Sequence, residues 1–310
     1  MYLASVRLHN FRNHRDSAFH FGRGVNVVLG DNGEGKTNIL EAISYLCLTK
    51  SFYAAGDAVV VRFDEGMFEV EGIFHSDHGS DSTVRVAFEN VPGKKVVSLN
   101  RRPVEPFLEM IGKFPVVICS PEHSPITQGG PAERRTFVDF VISQSSSVYF
   151  ETLLEYRKAL KHRNKVLLDA RISGVFDPAL IEPWDEHIIR LGAVLMARRA
   201  SFSREFQPYV VSAYGELLEG GEEPEFEYRA HGAAGTETGE EDFRGVITAT
   251  LRTKAREERK FGTTLAGPHR DEFHLTINDL DIRKYASQGQ HKTFLVSLKL
   301  AEFEYLRERC

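Results

Sequence analysis

The chain has 310 residues, 42% of them hydrophobic, which is enough for one large core or two modest ones and favours two domains. No apolar run approaches the roughly 18 to 20 residues of a membrane span. The N-terminus carries Arg7, His9, Arg12 and Arg15 in place of a signal peptide's apolar core, so a cytoplasmic location is expected. The formal net charge of −5 argues against nucleic acid until its distribution is read: Glu216 to Asp242 holds ten acids against Arg229 alone, so the rest of the chain carries +4.

In chain order, Tyr2 to Leu8 alternates as a strand, with Asp16 to Phe21 as its hairpin partner across Asn10-Phe11-Arg12-Asn13. Val25 to Leu29 is a short β-branched run expected as a buried strand. Gly30-Asp31-Asn32-Gly33-Glu34-Gly35-Lys36-Thr37 follows, and it fits the pattern Gly-x-x-x-x-Gly-Lys-Ser/Thr at every fixed position. Such a P-loop lets backbone N–H groups curl around a triphosphate, aims Lys36 at the β- and γ-phosphates and gives Mg²⁺ the Thr37 hydroxyl. Asn38 to Leu46 continues with helical spacing, so ATP and Mg²⁺ are the expected ligands. Val59 to Phe63, Met67 to Phe74, Ser82 to Phe88 and Val96 to Leu99 read as β-rich runs, and Val116 to Cys119 as a further buried strand. The three cysteines, Cys47, Cys119 and Cys310, suit neither a disulfide framework nor a zinc site, and Cys47 and Cys119 read as small core residues.

Glu133 to Val141 and Tyr149 to Asp169 then show helical spacing, the second with Leu153, Tyr156, Leu160 and Leu167 on one face. Trp184, Ile188, Leu191, Leu195, Phe202 and Phe206 form another stripe, so an antiparallel pair of long helices is expected. Six bases fall between Arg157 and Arg171, and five between Arg252 and Lys260. The acidic stretch reads as a mobile surface connection. A helix from Asp242 to about Arg259, strands near Phe273 to Ile277 and Leu280 to Ile282, and a last helix opened by Ser287-Gln288-Gly289-Gln290 complete the chain. The Ser-x-Gly-Gln form resembles the signature motif of ABC-type ATPases, whose helix N-terminus can face a γ-phosphate held by a second protomer.

Taken together, the chain resembles the RecF family of bacterial recombination-repair ATPases, relatives of the SMC heads. The resemblance rests on Asn10 to Asn13, the P-loop continued as Asn38-Ile-Leu-Glu41, Ser120-Pro-Glu122, Gly130-Pro-x-x-Arg134-Arg135-x-Phe-x-Asp139, Gly267-Pro-His269-Arg270-Asp271, and Ser287 to Gln290. It implies a mixed α/β, ABC-type ATPase head lobe built from both chain ends (1–120 and 216–310), with an inserted α-helical lobe at 121–215. It implies Arg12 and Asn13 near the nucleotide, and Ser287, Gln288, Gly289 and Gln290 reading ATP across a homodimer. It also implies a clamp on double-stranded DNA at gaps and junctions, with RecR, RecO and RecA as partners; Arg157, Lys158, Lys161, Arg163 and Lys165 are the candidate DNA contacts.

Two departures stand out: His123 follows Ser-Pro-Glu where the family carries an acid, and Ser51-Phe52-Tyr53 replaces Ser-Phe-Arg. Gln128 is the candidate Q-loop glutamine. Arg134 and Arg135 could pair with Asp139, and His269 and Asp271 could either fix a loop or approach phosphates. In ABC-type enzymes the signature helix precedes a strand with the Mg²⁺-supporting and catalytic acids. The chain stops at Cys310, so no catalytic residue is assigned, weak ATP hydrolysis is expected, and a truncated form is suggested. Asp64-Glu65 is set aside as a decoy. The alternatives are another SMC-like ATPase and a self-sufficient P-loop kinase or GTPase.

Overall fold

Period-two burial builds the first sheet: Val6 and Leu8, Phe68, Val70 and Phe74, Val84 and Val86, and Val97 all turn inward, while Arg7 and His9 face solvent. In this computed structural model, which describes residues 1–77, 79–218 and 220–310, the contacts divide the chain into two units, Met1–Ile118 and Cys119–Cys310. The first contains β1 (Tyr2–Phe11), β2 (His14–His20), α1 (Lys36–Leu48), β3 (Met67–His75), β4 (Ser82–Glu89), β5 (Lys94–Leu99) and β6 (Arg102–Pro103). The strands form one antiparallel sheet, ordered β2-β1-β3-β4-β5-β6. Helix α1 packs on its inner face, where Phe11, Tyr45 and Phe68 meet edge to face at 5.2 to 5.7 Å. Gly72 makes this possible, because a Cβ there would lie 2.3 Å from Leu46 Cδ1.

Four expectations for this unit and its boundary fail. Val25 to Leu29 forms no ladder, and Val25 and Leu29 are 92% and 85% exposed. A continuous apolar run becomes an interior strand only when both edges find partners; among the described residues this one finds none. Val116 to Cys119 is likewise outside any strand, and Cys119 is exposed, whereas Cys47 is buried as expected. Val59 to Phe63 makes a 3₁₀ turn and a single bridge, Val61 to Phe11, because its backbone serves the β1–β2 turn.

The second unit contains α2 (Pro125–Gln128), α3 (Pro131–Ser145), α4 (Ser147–Ser173), α5 (Pro178–Leu217), β7 (Pro224–Arg229), α6 (Glu240–Phe261), β8 (Glu272–Ile277), β9 (Leu280–Asp281), α7 (Ile282–Tyr285) and α8 (Gln288–Arg309). Helix α4 starts at Ser146, whose Oγ accepts Tyr149 N–H, and ends at Gly174 with φ +74°. The expected antiparallel pair is α4 and α5: Tyr149 meets Arg199, and Arg163 meets Asp185. Residues of 121–215 and 216–310 share this unit, with α5 packed against α6, α8 and β7.

Within the acidic stretch the expected mobile connection is corrected: Pro224–Arg229 is a strand paired with β8, and Phe226 is buried against Phe202 and Phe206. Its acids alternate with Pro224, Phe226 and Tyr228, so only one face carries charge. Glu219 lies outside the described residues. Among the described residues, no helix is long and apolar enough to cross a membrane.

Candidate functional site

The P-loop region is assembled in the first unit by the β1–β2 turn, the loop Gly30 to Gly35 and the start of α1. Gly33 and Gly35 hold φ of +90° and +93°, which lets the loop wind back on itself. Gly35 also permits a close approach: a Cβ there would lie 2.3 Å from Asn13 Oδ1 and 2.8 Å from His14 Nε2. Asn13 Nδ2 donates to Gly33 O at 3.3 Å, and Asn38 Nδ2 donates to Asn13 Oδ1 at 2.8 Å, so the turn is fastened to the loop.

Helix α1 begins without a side-chain cap, which leaves its first-turn N–H groups and dipole available to an anion. Lys36 Nζ donates to Gly30 O and Asp31 O, both at 2.7 Å, and therefore sits within the loop. Thr37 is exposed at the helix start. Glu34 Oε2 accepts Asp31 N–H at 2.8 Å. Glycines that bring the backbone in, an ammonium inside the curl and an uncapped helix start fit a triphosphate, and the exposed Thr37 hydroxyl is a group that could ligate Mg²⁺.

Arg12 stands beside this group but is committed to α1. Its Nε and Nη2 bond both Glu41 oxygens at 2.8 and 2.9 Å, and its Nη1 donates to Val59 O. The hydrogen bond to Glu41 raises the Arg12 pKa, against some desolvation. Glu41 is buried and also accepts from Ser51 Oγ. Glu41, His14, whose Nε2 lies 3.3 Å from Gly35 O, and Arg62, which donates to Asn13 O, were not singled out by role in the sequence. The phrase Asn-Ile-Leu-Glu contained the signal for Glu41, a carboxylate one turn inside a helix on its apolar face.

The other candidates lie in the second unit. Ser287 caps α8: Ser287 Oγ accepts Gln290 N–H, and Gln290 Oε1 accepts Ser287 N–H. Gln290 Nε2 donates to Glu222, while Ser287, Gln288 and Gly289 are exposed. A Cβ at Gly289 would meet nothing closer than Ser287 Oγ at 3.7 Å, so packing does not demand the glycine.

Gly267 to Asp271 is a structural loop. Asp271 is fully buried and accepts from Arg199 Nη1, Tyr228 Oη and His231 N. Arg199 also bonds Asp139 at 2.8 Å and Pro268 O at 2.6 Å. Burial opposes its charge, but Asp139, Tyr149 and Asp271 outweigh burial and hold its pKa well above the ordinary value. His269 Nδ1 faces Tyr156 Oη at 2.7 Å and its Nε2 faces Thr264 O at 3.1 Å. That carbonyl requires the proton on Nε2, leaving Nδ1 to accept the hydroxyl of Tyr156. Burial pushes the His269 pKa down to about 4.

Arg134 donates to Gly129 O and Glu272, and Arg135 to Asp271 O, so neither pairs with Asp139. One candidate DNA contact is corrected. Arg163 is buried and bound by Asp185, Glu258 and Thr264. Arg157, Lys158, Lys161 and Lys165 are exposed along α4. Gln128 ends the short α2, and His123 hydrogen-bonds Ser120, where burial and then Lys299 lower its pKa to about 4.

Comparison with known proteins agrees with this geometry. A family described as an AAA domain matches residues 5–167. The chain is 41% identical over 313 residues to the DNA replication and repair protein RecF of Chloroherpeton thalassium, covering 99% of this chain and 83% of that protein. It is similar to a solved structure of the recombination mediator protein RecF-ATPrS in the RecFOR pathway, with a TM-score of 0.93 and 32% identity over 99% of this chain and 82% of that one. A second, of RecF-ATP, gives a TM-score of 0.91 and 32% identity over 99% of this chain and 83% of that one.

Proposed function

Because the chain belongs to the RecF family of DNA replication and repair proteins, we propose that it is an ATP-dependent DNA-binding protein of recombinational repair. ATP joins two protomers, which clamp double-stranded DNA at gaps and junctions and help load RecA together with RecR and RecO. The observation that carries this reading is the P-loop: an uncapped α1 start, Lys36 within the loop, and the Gly35 contact that admits Asn13. Gly30, Asp31, Asn32, Gly33, Glu34 and Gly35 shape the cradle; Lys36 binds the β/γ-phosphates; Asn38 and Asn13 hold the cradle to the hairpin; and Arg12 positions α1 through Glu41. Mg²⁺ held by Thr37 supplies charge neutralisation between phosphate oxygens.

The α8 start supports the cross-protomer step. Ser287 Oγ accepts one bond and keeps its hydrogen to donate, and the bare Gly289 leaves its N–H open. Exposed Arg157, Lys158, Lys161 and Lys165 offer sequence-independent phosphate contacts. A self-sufficient kinase or GTPase gains no support: Asp64 sits in a turn at φ +63°, with no strand leading to it.

Sedimentation velocity with and without ATP and Mg²⁺ tests the proposal. The wild type is expected to dimerise only with ATP, and Ser287→Arg to remain monomeric while binding ATP within about twofold of wild-type affinity, a difference of about 0.4 kcal/mol. A wild type that stays monomeric, or a variant that dimerises normally, overturns it.

A further inference from the structure

Strand β7 is an edge of its sheet, bonded to β8 on one side only. Glu223 O accepts Asn278 N–H on the β8 side, so the N–H and C=O groups of Phe226 and Tyr228 turn to the opposite edge. There α5 substitutes for a missing strand: Gln207 Nε2 donates to Pro224 O at 3.0 Å, Gln207 Oε1 accepts Phe226 N–H at 2.7 Å, and Ser203 Oγ donates to Phe226 O at 3.0 Å. A glutamine side-chain amide thus stands where a neighbouring peptide group would. The substitution stops at Tyr228. The next α5 position towards it is Ala200, whose methyl cannot bond, and no described residue partners the Tyr228 N–H or C=O on that edge.

A groove of about 670 Å³ opens at this point, walled by Ala200, Ala230, Ala233, Ala234, Gly235 and Phe243. Its size is that of a ligand site, and its small residues leave room for the side chains of an incoming strand. The rim is acidic by a single charge: Glu225, Glu227 and Glu237 stand against Arg204 and Arg229, and Arg229 is bound to Glu227 at 2.6 Å, while Glu225 is exposed. That charge repels phosphate backbones and attracts lysine and arginine.

We propose that the β7 edge groove docks an extended, basic peptide segment of a partner protein as an added strand. Tyr228 supplies backbone hydrogen bonds, the alanine wall receives alternate side chains, and exposed Glu225 holds a cationic flank. The proposal is independent of the nucleotide site.

The test is selection of a phage-displayed random dodecapeptide library on the 310-residue protein, followed by hydrogen exchange with the enriched peptides. Enriched sequences are expected to place Lys or Arg around small or β-branched residues and to slow exchange of the Tyr228 amide. Their affinity should fall at least tenfold in Ala233→Trp, which fills the groove, and in the exposed charge reversal Glu225→Lys, which keeps the test valid if the tryptophan variant misfolds. A 20-nucleotide single strand should not compete. The proposal is overturned by an absence of enrichment, by peptides that bind Glu225→Lys as tightly as wild type, or by protection of Tyr228 from the oligonucleotide.

Discussion

The P-loop and the Gly267–Asp271 loop are both glycine-led, charged segments beside a helix, yet they keep their polar groups in opposite conditions. Around Gly30 to Thr37 most groups are exposed, Lys36 bonds only carbonyls of its own loop, and α1 starts uncapped. Around Asp271 the inward charges are buried and answered, Arg199 by Asp139 and Asp271 and Asp271 again by Tyr228 and His231, while Arg270 alone of the loop's charges is exposed. The first arrangement holds bonding capacity in reserve for a ligand; the second spends it on the fold. A conspicuous motif therefore declares its role through how fully its polar atoms are satisfied.

The comparison breaks first at Arg199. Arg199→Met leaves Asp271 buried without its cation and Asp139 with only the exposed Arg157 at 3.4 Å, and a loss of about 3 to 5 kcal/mol in urea unfolding is expected. A loss below about 1 kcal/mol, the level of an ordinary surface change, would mean the cluster is not structural.

The next effect is on pH dependence. His269 is held neutral with its pKa near 4, whereas in the unfolded chain it takes a proton below its ordinary value of 6.5. The unfolded state therefore binds more protons between these values, so this contribution is fully present above 6.5 and falls as pH drops toward 4, by up to about 3 kcal/mol. Unfolding curves across that window should lose this part of their slope in His269→Gln. An unchanged slope refutes the assignment.

At the P-loop the expectation inverts. Lys36→Ala should lower ATP affinity at least about a hundredfold, near 2.7 kcal/mol, while unfolding stability shifts by less than about 0.5 kcal/mol. Calorimetry and urea melts of one preparation check both halves. ATP affinity within threefold of wild type would remove Lys36 from the site.

The P-loop and the long helices were legible because their signals are local: fixed spacings in one case, sustained 3.6-residue periodicity in the other. Val25 to Leu29 misled because an apolar run does not say whether partner strands flank it. Arg163 was counted with its basic neighbours although it continues the inward face of Tyr156, Ala159 and Leu167, a position decided by helical phase and not by composition. Strand β7 was hidden by its acids, yet Pro-Glu-Phe-Glu-Tyr alternates with period two. Of the candidate site, the loop Gly30 to Thr37 could be named in advance from its spacing. The Arg12–Glu41 latch joins residues 29 positions apart and required the fold.

The Arg199 cluster also bears on how the protein is made. Its members are contributed by α3, α4, α5, β7 and the loop before β8, so a growing chain reaches Arg199 long before Asp271 leaves the ribosome. Until then the guanidinium has Asp139 and Tyr149 but not Asp271, so its full set of partners exists only once the chain has extended through the loop before β8.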